Sequence, residues 1–118
     1  MMIKVKRIYE PWEAKDGFRI LVDRLWPRGM SKERAKVDLW ERDIAPSPRL
    51  REWYKHDLRK WEEFQKLYQE ELKGKGDLLN KIRELEREKG RITLLFSAKD
   101  EIHNSAQVLL KVLMNDKS

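Results

Sequence analysis

The sequence predicts an α/β fold in which a small parallel or mixed sheet is flanked by helices. Two short runs, residues 18–22 and 92–96, are apolar at almost every position, as expected of strands buried on both faces of a sheet. Segments with the apolar repeat of amphipathic helices lie between and after these runs. Because strands separated by helices favour one layered domain, we predict that residues 1–118 form a single domain.

The first predicted strand covers residues 3–9, where apolar and basic residues alternate as in a strand with one solvent-exposed face. A loop bracketed by Pro11 and Gly17 leads to the second strand, residues 18–23. This strand stops at a segment rich in turn-forming residues, 23–29. The connection between the two strands is short for a crossover, so an antiparallel pair remains an alternative to a parallel arrangement.

The segment from residue 31 to residue 45 has two interpretations. Ser31 would cap a short helical turn, whereas Val37, Leu39 and Glu41 alternate as in an edge strand. The pattern does not choose between them.

Four helices are predicted beyond residue 46, each from an apolar repeat and three of them also from a capping residue. They follow Ser47 (with Pro48 at the first helical position, ending near His56), Asp57 (ending before Gly74) and Asp77 (ending before Gly90), and the last extends from about Asn104 to Met114. The side chains predicted to face inward are Leu50, Trp53, Tyr54, Leu58, Trp61, Phe64, Leu67 or Tyr68, Leu72, Leu78, Leu79, Ile82, Leu85, Ala106, Val108, Leu109, Leu110, Val112 and Leu113. The last helix is apolar around much of its circumference, so we expect it to pack against the sheet.

Composition limits the function. Charged residues make up 41% of the chain and the formal net charge is +6. This basic balance fits a phosphate-bearing partner, or a heat-adapted, thermophile-like surface that is rich in Lys and Glu and free of Cys. No apolar run is long enough to cross a membrane, the first residues lack the apolar core of a secretion signal, and cysteine is absent, so we expect a cytoplasmic protein without a membrane partner.

The candidate site follows from the predicted sheet. Ligands of open α/β sheets bind beyond the carboxyl ends of the strands. Here those ends are residues 23–29 after the second strand and residues 97–104 after the strand at 92–96. If the two strands are parallel neighbours, the two segments face one another across one crevice.

The first of these segments presents Arg24, Trp26 and Arg28 at alternate positions. Pro27 forces Trp26 into an extended conformation, so we expect the three side chains to share one face. Two guanidinium groups and an aromatic ring suit a phosphate, a carboxylate, or a nucleobase with its phosphate. The structural alternative is that Trp26 belongs to the core and that the arginines pair with nearby aspartates.

The second segment carries Ser97, Lys99, His103 and Asn104 at the start of the last helix. Free backbone N–H groups and the helix dipole favour an anion at such a position. The structural alternative is ordinary capping by Asp100 or Asn104, which does not exclude an anion.

Acid–base chemistry is the alternative to ligand binding. Asp23 and Asp100 are candidates for an acid and a base across the crevice, and His56 lies near a helix end that favours a protonated imidazole. With two histidines and no cysteine, a transition metal would need carboxylates for most of its ligands, so we expect no metal site. The chain has neither a Walker-type loop nor a Gly-x-Gly-x-x-Gly motif, and we expect no cofactor.

Several strings of the sequence resemble one family. They are Asp23-Arg24-Leu25-Trp26-Pro27-Arg28-Gly29, Ile44-Ala45-Pro46-Ser47 with Leu50-Arg51, the spacing of Trp61, Phe64 and Tyr68, and Leu94-Leu95-Phe96-Ser97-Ala98-Lys99-Asp100 with Asn104. On these motifs the chain resembles the YeaO-like members of the domain of unknown function 488 family over nearly its whole length. That family carries no established activity. Arg51, which belongs to the second motif, completes the set of ligand-binding candidates.

Longer members of the wider family resemble this chain at the strand 92–96 but differ at two positions that carry chemistry. They have Cys-Ala-Glu where Phe96-Ser97-Ala98 stand here, and a Cys-His-Arg run where Asn104-Ser105-Ala106 stand. The comparison implies that no cysteine-based mechanism operates in this chain.

Three functions stay open on the sequence alone. The first is binding of a phosphate-bearing ligand, a nucleotide or nucleic acid, in the crevice. The second is a hydrolase or transferase that acts on a small metabolite through the aspartates and His56. The third is a protein-interaction domain with exposed tryptophans as anchors. Whether the protein is an enzyme, and its oligomeric state, are not fixed by these patterns.

Overall fold

The computed structural model describes residues 2–115, whose four strands form one sheet in the order β1-β4-β2-β3. The strands are β1 (Met2–Arg7), β2 (Phe18–Leu21), β3 (Leu39–Trp40) and β4 (Arg91–Phe96). Every neighbouring pair is parallel, which confirms the predicted α/β class with a small parallel sheet. The alternative of an antiparallel pair at the start of the chain is wrong, because β4 lies between β1 and β2 and pairs in parallel with both.

The connection from β1 to β2 passes β4 within residues 8–17 and contains a single 3-10 turn, Ala14–Asp16. Gly17 ends this connection with a φ of 67°, and a Cβ at this position would overlap the backbone carbonyl of Arg91. Only glycine adopts this φ at low cost and also permits so close an approach to β4. The crossover can therefore be short because its last residue has no side chain.

The helices are α1 (Lys32–Ala35), α2 (Pro48–Tyr54), α3 (Trp61–Lys73), α4 (Gly76–Lys89) and α5 (Ser105–Asn115). Both interpretations of residues 31–45 are correct in part, since Ser31 caps α1 and β3 follows as an edge strand. Ser47 caps α2 as predicted. Asn104 lies immediately before α5, and its Oδ1 accepts a hydrogen bond from the Gln107 backbone N–H at 3.0 Å. No helix within residues 2–115 has the length and apolarity needed to span a bilayer.

The two aspartate caps behave differently from the prediction. Asp57 caps a 3-10 turn, Leu58–Lys60, which then leads into α3. Asp77 lies in the first turn of α4, whose N-cap is Lys75, so this predicted cap is wrong. The helix begins two residues earlier than predicted, at Gly76 rather than at Leu78.

The main hydrophobic core lies between one face of the sheet and the longer helices. Its buried side chains are Ile20, Val22, Ile44, Leu50, Tyr54, Phe64, Tyr68, Leu72, Leu79, Ile82, Ile92, Leu94, Phe96, Ala106, Val108, Leu109 and Leu113. Two residues predicted to face inward do not, since Trp53 and Leu58 are 38% and 55% exposed. Of the alternatives Leu67 and Tyr68, Tyr68 is the buried one. Leu58 lies in the 3-10 turn before α3, whose different periodicity moves it off the helical stripe.

The opposite face of the sheet is covered by loops and α1. Leu21 and Leu95 pack there with Ile8, Met30 and Ala35. Partly buried aromatic and aliphatic side chains complete this smaller cluster, namely Tyr9, Trp26, Val37 and Trp40.

Toward the amino ends of the strands, the same face holds buried charges. The Asp16 carboxylate accepts hydrogen bonds from Lys6 Nζ at 3.0 Å and Arg19 Nη1 at 2.6 Å, and Lys4 Nζ lies 2.9 Å from it. Asp16 and Arg19 are almost fully buried, and Lys6 is 8% exposed. The prediction that one face of β1 is exposed to solvent is therefore wrong, because Asp16 in the connection from β1 to β2 pairs with Lys4 and Lys6 on that face.

Candidate functional site

A cavity of about 660 Å³ lies beyond the carboxyl ends of β2 and β4. Because these strands are parallel neighbours, with Leu21 opposite Leu95, the segments that follow them meet at one edge of the sheet. Residues 23–28 form one wall and residues 96–98 and 103–105 another. A third wall comes from residues 45–56, which contain α2.

Asp23 connects residues 23–28 to residues 96–98 through hydrogen bonds. Its Oδ2 accepts hydrogen bonds from the Ser97 backbone N–H at 2.9 Å and from Ser97 Oγ at 2.8 Å. Burial raises the pKa of Asp23, although the hydrogen bonds from Ser97 and the charge of Arg51 act in the opposite direction. Both hydrogen bonds end on one oxygen, so Oδ1 has no hydrogen-bond partner among residues 2–115.

Arg24, Trp26 and Arg28 all line the cavity, but their surroundings differ. The Arg24 guanidinium donates to the Ala45 carbonyl at 3.2 Å, which joins the first wall to the third. The Trp26 indole N–H donates to the Met30 carbonyl at 2.6 Å, and the ring packs edge-on against Trp40 in the smaller cluster. The ring expected to offer a stacking surface is thus largely held by core contacts.

Arg28 and Arg51 are the guanidinium groups of the lining that form no direct contact with a polar group of the described chain. Both side chains are exposed, and within the described chain neither forms a hydrogen bond or an ion pair. Arg28 is held through its backbone, since its carbonyl accepts a hydrogen bond from Tyr9 Oη at 2.8 Å. Arg51 projects from α2, one turn before the helix ends.

His56 reaches the cavity through an unusual backbone. Lys55 and His56, which directly follow α2, have φ values of 45° and 57°, in the left-handed region. Two consecutive non-glycine residues in this region cost on the order of 1–3 kcal/mol each. The strained turn brings His56 into the lining, with its ring 6.0 Å from that of Tyr54.

Tyr54 is the polar group that the sequence patterns missed. Its ring is stacked on Phe64 with centroids 4.4 Å apart, and the residue is only 6% exposed. The hydroxyl is buried and has no hydrogen-bond partner among the described residues. Helical periodicity identifies Tyr54 as a core side chain, and no local signal shows that the residue also lines a cavity.

The start of α5 contributes His103 and Asn104, while Lys99 and Asp100 lie outside the lining. Asp100 accepts a hydrogen bond from the His103 backbone N–H at 2.8 Å, and its other oxygen lies 3.0 Å from His103 Nδ1. Backbone hydrogen bonds from His103 and Ile102 lower the pKa of Asp100. Asp100 therefore orients His103 and shapes the loop, and Lys99 is exposed to solvent.

Nine of the eleven candidates named from the sequence lie around this cavity. They are Asp23, Arg24, Trp26, Arg28, Arg51, His56, Ser97, His103 and Asn104. Three arginines and two carboxylates line it, so the lining carries one net positive charge even when both histidines are neutral. Within residues 2–115, no group of three or more carboxylate and imidazole side chains is arranged to hold a metal ion.

Comparison with known proteins places the chain in a family. Residues 2–117 match the family model described as "Inactive DUF488-N3 subclade". The chain is 39% identical over 109 residues to the uncharacterised protein YeaO of Escherichia coli K12, a match that covers 92% of this chain and 94% of that protein. It is also 39% identical over 113 residues to the uncharacterised protein Rv3073c of Mycobacterium tuberculosis H37Rv, with 94% and 92% covered. No solved structure matches. The chain therefore belongs to the YeaO-like DUF488 family, in the subclade whose description calls it inactive.

Proposed function

We propose that the cavity binds a small phosphate-bearing molecule of about nucleotide size. The observation that carries this proposal is a pair of guanidinium groups, Arg28 and Arg51, that form no hydrogen bond or ion pair within residues 2–115 and line the same cavity as Tyr54, whose buried hydroxyl lacks a hydrogen-bond partner. A buried hydroxyl without a hydrogen-bond partner is costly, and a ligand that pairs with it removes that cost. Guanidinium groups at the same cavity would supply the donors for an anionic part of that ligand.

The chemistry of the lining favours an anion over a neutral ligand. Guanidinium groups form paired hydrogen bonds with phosphate oxygens, and the lining has an excess of positive charge. The volume of about 660 Å³ lies within the range typical of small-molecule sites, roughly 300–1,000 Å³. A cavity of this size suits a mononucleotide better than an extended nucleic acid.

The family description supports binding without turnover. The word "inactive" describes the matched subclade, and the cysteines of longer relatives are absent here. A site that has arginines and a cavity but no cysteine fits a receptor or sensor.

A thermal-shift titration with mononucleotides and inorganic phosphate tests this proposal. We expect melting temperatures to rise with ligand concentration, and Arg28→Ala and Arg51→Ala to weaken binding about tenfold each, since one charge-assisted contact contributes roughly 1.5–3 kcal/mol. Arg49→Ala is the matched control, because Arg49 is an exposed arginine of α2 outside the lining. The proposal fails if no phosphate compound shifts the melting temperature, or if all three variants respond like the wild type. Binding of oligonucleotides alone, with a steep salt dependence, would instead identify a nucleic-acid surface.

Acid–base catalysis is the second candidate, and Asp23 is the observation that favours it. A carboxyl group with a raised pKa at the wall of a cavity is typical of catalytic sites. His103, held by Asp100 through Nδ1, adds an oriented imidazole to the same cavity. A screen for hydrolysis of small phosphate esters, with Asp23→Asn as the control, distinguishes catalysis from binding. Turnover that this variant abolishes supports catalysis. Absence of turnover at micromolar protein concentration supports binding alone.

Protein interaction through tryptophan anchors has weaker support. Trp12 and Trp53 are the tryptophans with exposed rings, at 45% and 38%. Lys36 Nζ lies 4.4 Å from the Trp12 ring centroid, and Lys60 Nζ lies 5.0 Å from that of Trp53. Each ring is thus partly covered by a lysine of the same chain, which leaves little bare aromatic surface for a partner.

A further inference from the structure

We propose that Asp23 and Tyr54 recognise a hydroxyl group carried beside the phosphate, so that the ligand is a hydroxyl-bearing phosphate ester such as a sugar phosphate or a ribonucleotide. This inference rests on the proposed function and names the class of ligand. It follows from the two polar groups of the cavity that the arginines do not explain.

Asp23 offers an acceptor in a fixed position. Oδ2 is held by the backbone and the hydroxyl of Ser97, at 2.9 and 2.8 Å, which fixes the plane of the carboxylate. Oδ1 has no partner among residues 2–115, and Asp23 lines the cavity. A carboxylate accepts hydrogen bonds only, so the group that meets Oδ1 must be a donor.

Tyr54 offers a hydroxyl that both donates and accepts. Its ring is fixed by stacking on Phe64, and Trp61 packs on the same aromatic group with a centroid distance of 6.0 Å to Tyr54. The residue is 6% exposed, yet its oxygen has no partner within the described chain. A buried hydroxyl in this condition destabilises the empty protein, and a ligand group that pairs with it gains affinity.

The charges of the cavity decide which donor is suitable. A phosphate oxygen placed at Asp23 would be repelled by the carboxylate, so the phosphate belongs near Arg28 and Arg51. An ammonium group would satisfy Asp23 but would be repelled by the three arginines of the lining. A neutral hydroxyl avoids both penalties, since it can donate to Asp23 Oδ1 without a charge of its own, and a hydroxyl is also a suitable partner for that of Tyr54.

Binding measurements with matched ligand pairs test the inference. One pair is ribose 5-phosphate and methyl phosphate, and the other is adenosine monophosphate and its 2′,3′-dideoxy analogue. Each pair shares the phosphate and differs in sugar hydroxyls. We expect the wild type to bind the hydroxyl-bearing member on the order of tenfold more tightly, as expected when one charge-assisted hydrogen bond is gained.

Two variants assign this preference to the named groups. Asp23→Asn keeps an amide oxygen that accepts from Ser97, but it replaces the acceptor Oδ1 with an NH2 donor. We therefore expect this variant to lose the preference for the hydroxyl-bearing ligand. Its affinity for methyl phosphate should stay the same or rise. Tyr54→Phe removes only a hydroxyl that makes no hydrogen bond in the protein, so it should fold normally and reduce the preference about threefold or more. Arg28→Ala is the contrasting control, because it should weaken both members of each pair equally.

The outcomes separate this inference from the proposed function. A preference that disappears in Asp23→Asn or in Tyr54→Phe supports it. Equal affinity for both members of each pair, or a preference unchanged in Tyr54→Phe and in a folded Asp23→Asn, overturns the inference and leaves phosphate binding intact. If ribose 5-phosphate binds more tightly than methyl phosphate and adenosine monophosphate binds no more tightly than ribose 5-phosphate, the site is specific for a sugar phosphate. If adenosine monophosphate binds more tightly still, the site is specific for a nucleotide. Absence of binding by every phosphate compound overturns the proposed function and this inference together.

Discussion

The two ends of the sheet differ in whether their polar groups have partners within the protein. At the amino end, Asp16 is surrounded by Lys4, Lys6 and Arg19, and its carboxylate oxygens are satisfied within the protein. At the carboxyl end, Asp23 keeps one oxygen unpaired and Tyr54 keeps a buried hydroxyl unpaired. Buried charges that are fully paired need no further partner, whereas a buried polar group left unpaired costs stability, and under the proposed function a ligand pairs with it.

The pKa values of the two aspartates express the same contrast. Burial alone would raise the pKa of Asp16, yet hydrogen bonds from Lys4, Glu13, Lys6 and Arg19 hold it well below its usual range. For Asp23, burial prevails and the pKa is raised. The difference lies in the number of donors that surround each carboxylate.

Removing the amino-end carboxylate is the change with the largest expected effect. Asp16→Asn leaves the buried Arg19 without a counter-charge and leaves Lys6 with Glu13 alone, so we expect the free energy of unfolding to fall by about 3–5 kcal/mol. Asp23→Asn keeps its acceptor for Ser97 and should cost less than about 1 kcal/mol. Urea denaturation of both variants measures the contrast, and equal losses would contradict it.

The crossover that carries Asp16 depends on Gly17. Gly17→Ala adds a Cβ that overlaps the Arg91 carbonyl at a φ of 67°, so we expect a loss of about 2 kcal/mol or more. Gly76→Ala is the matched control, because a Cβ there meets open space in the first turn of α4 and alanine favours the helix. Chemical denaturation should show Gly76→Ala at or above wild-type stability; a Gly17→Ala variant of equal stability would mean that the approach to β4 is not tight.

Two buried tyrosines differ in whether the hydroxyl has a hydrogen-bond partner, so they test the stability cost of losing a paired and an unpaired group. Tyr68 Oη donates to the Ile44 carbonyl at 2.7 Å, so Tyr68→Phe should cost about 1–2 kcal/mol. Tyr54→Phe removes an unpaired hydroxyl and should change the stability of the free protein by less than about 0.5 kcal/mol, or increase it. Melting curves of the two variants without ligand test this, and a large loss in Tyr54→Phe would show that its hydroxyl has a partner.

The pH dependence of stability provides the smallest and most specific effect. The pKa of Asp16 is lowered on folding from its ordinary value of 3.8, so its contribution is present above that pH and is lost as the pH falls below it. The pKa of Asp23 is raised from the same value, so its effect has the opposite sign: stability is higher below pH 3.8 and declines as the pH rises through the folded pKa. From pH 3 to pH 7 the wild type should therefore lose stability relative to Asp23→Asn, since the Asp16 contribution is the same in both proteins. Parallel curves would contradict the raised pKa.

Much of the fold, and the position of the site, could be predicted from local patterns. Apolar runs at β2 and β4 predicted buried strands, and their parallel pairing brings residues 23–28 and the start of α5 together. Ser47 and Asn104 were identifiable because caps depend on a few neighbouring residues.

Features that depend on distant partners could not be predicted. Arg19 interrupts the apolar run of β2, and its role depends on Asp16 and on the carbonyls of Ala35 and Lys36. The alternation in β1 correctly predicted two faces, but a basic face is solvent-exposed only when no acidic loop covers it. Likewise, the periodicity of α2 shows that Tyr54 is buried and contains no information about what its hydroxyl meets.

The central claim is that the unpaired groups at the carboxyl end of the sheet mark a ligand site. Titrating isotopically labelled protein with ribose 5-phosphate, and following the backbone amide resonances by NMR, tests it most directly. We predict that the shifts concentrate at residues 23–28, 51–56 and 97–105, while residues 13–19 around the paired Asp16 stay unchanged. Saturable shifts centred on the amino end, or none at millimolar ligand, would contradict the account.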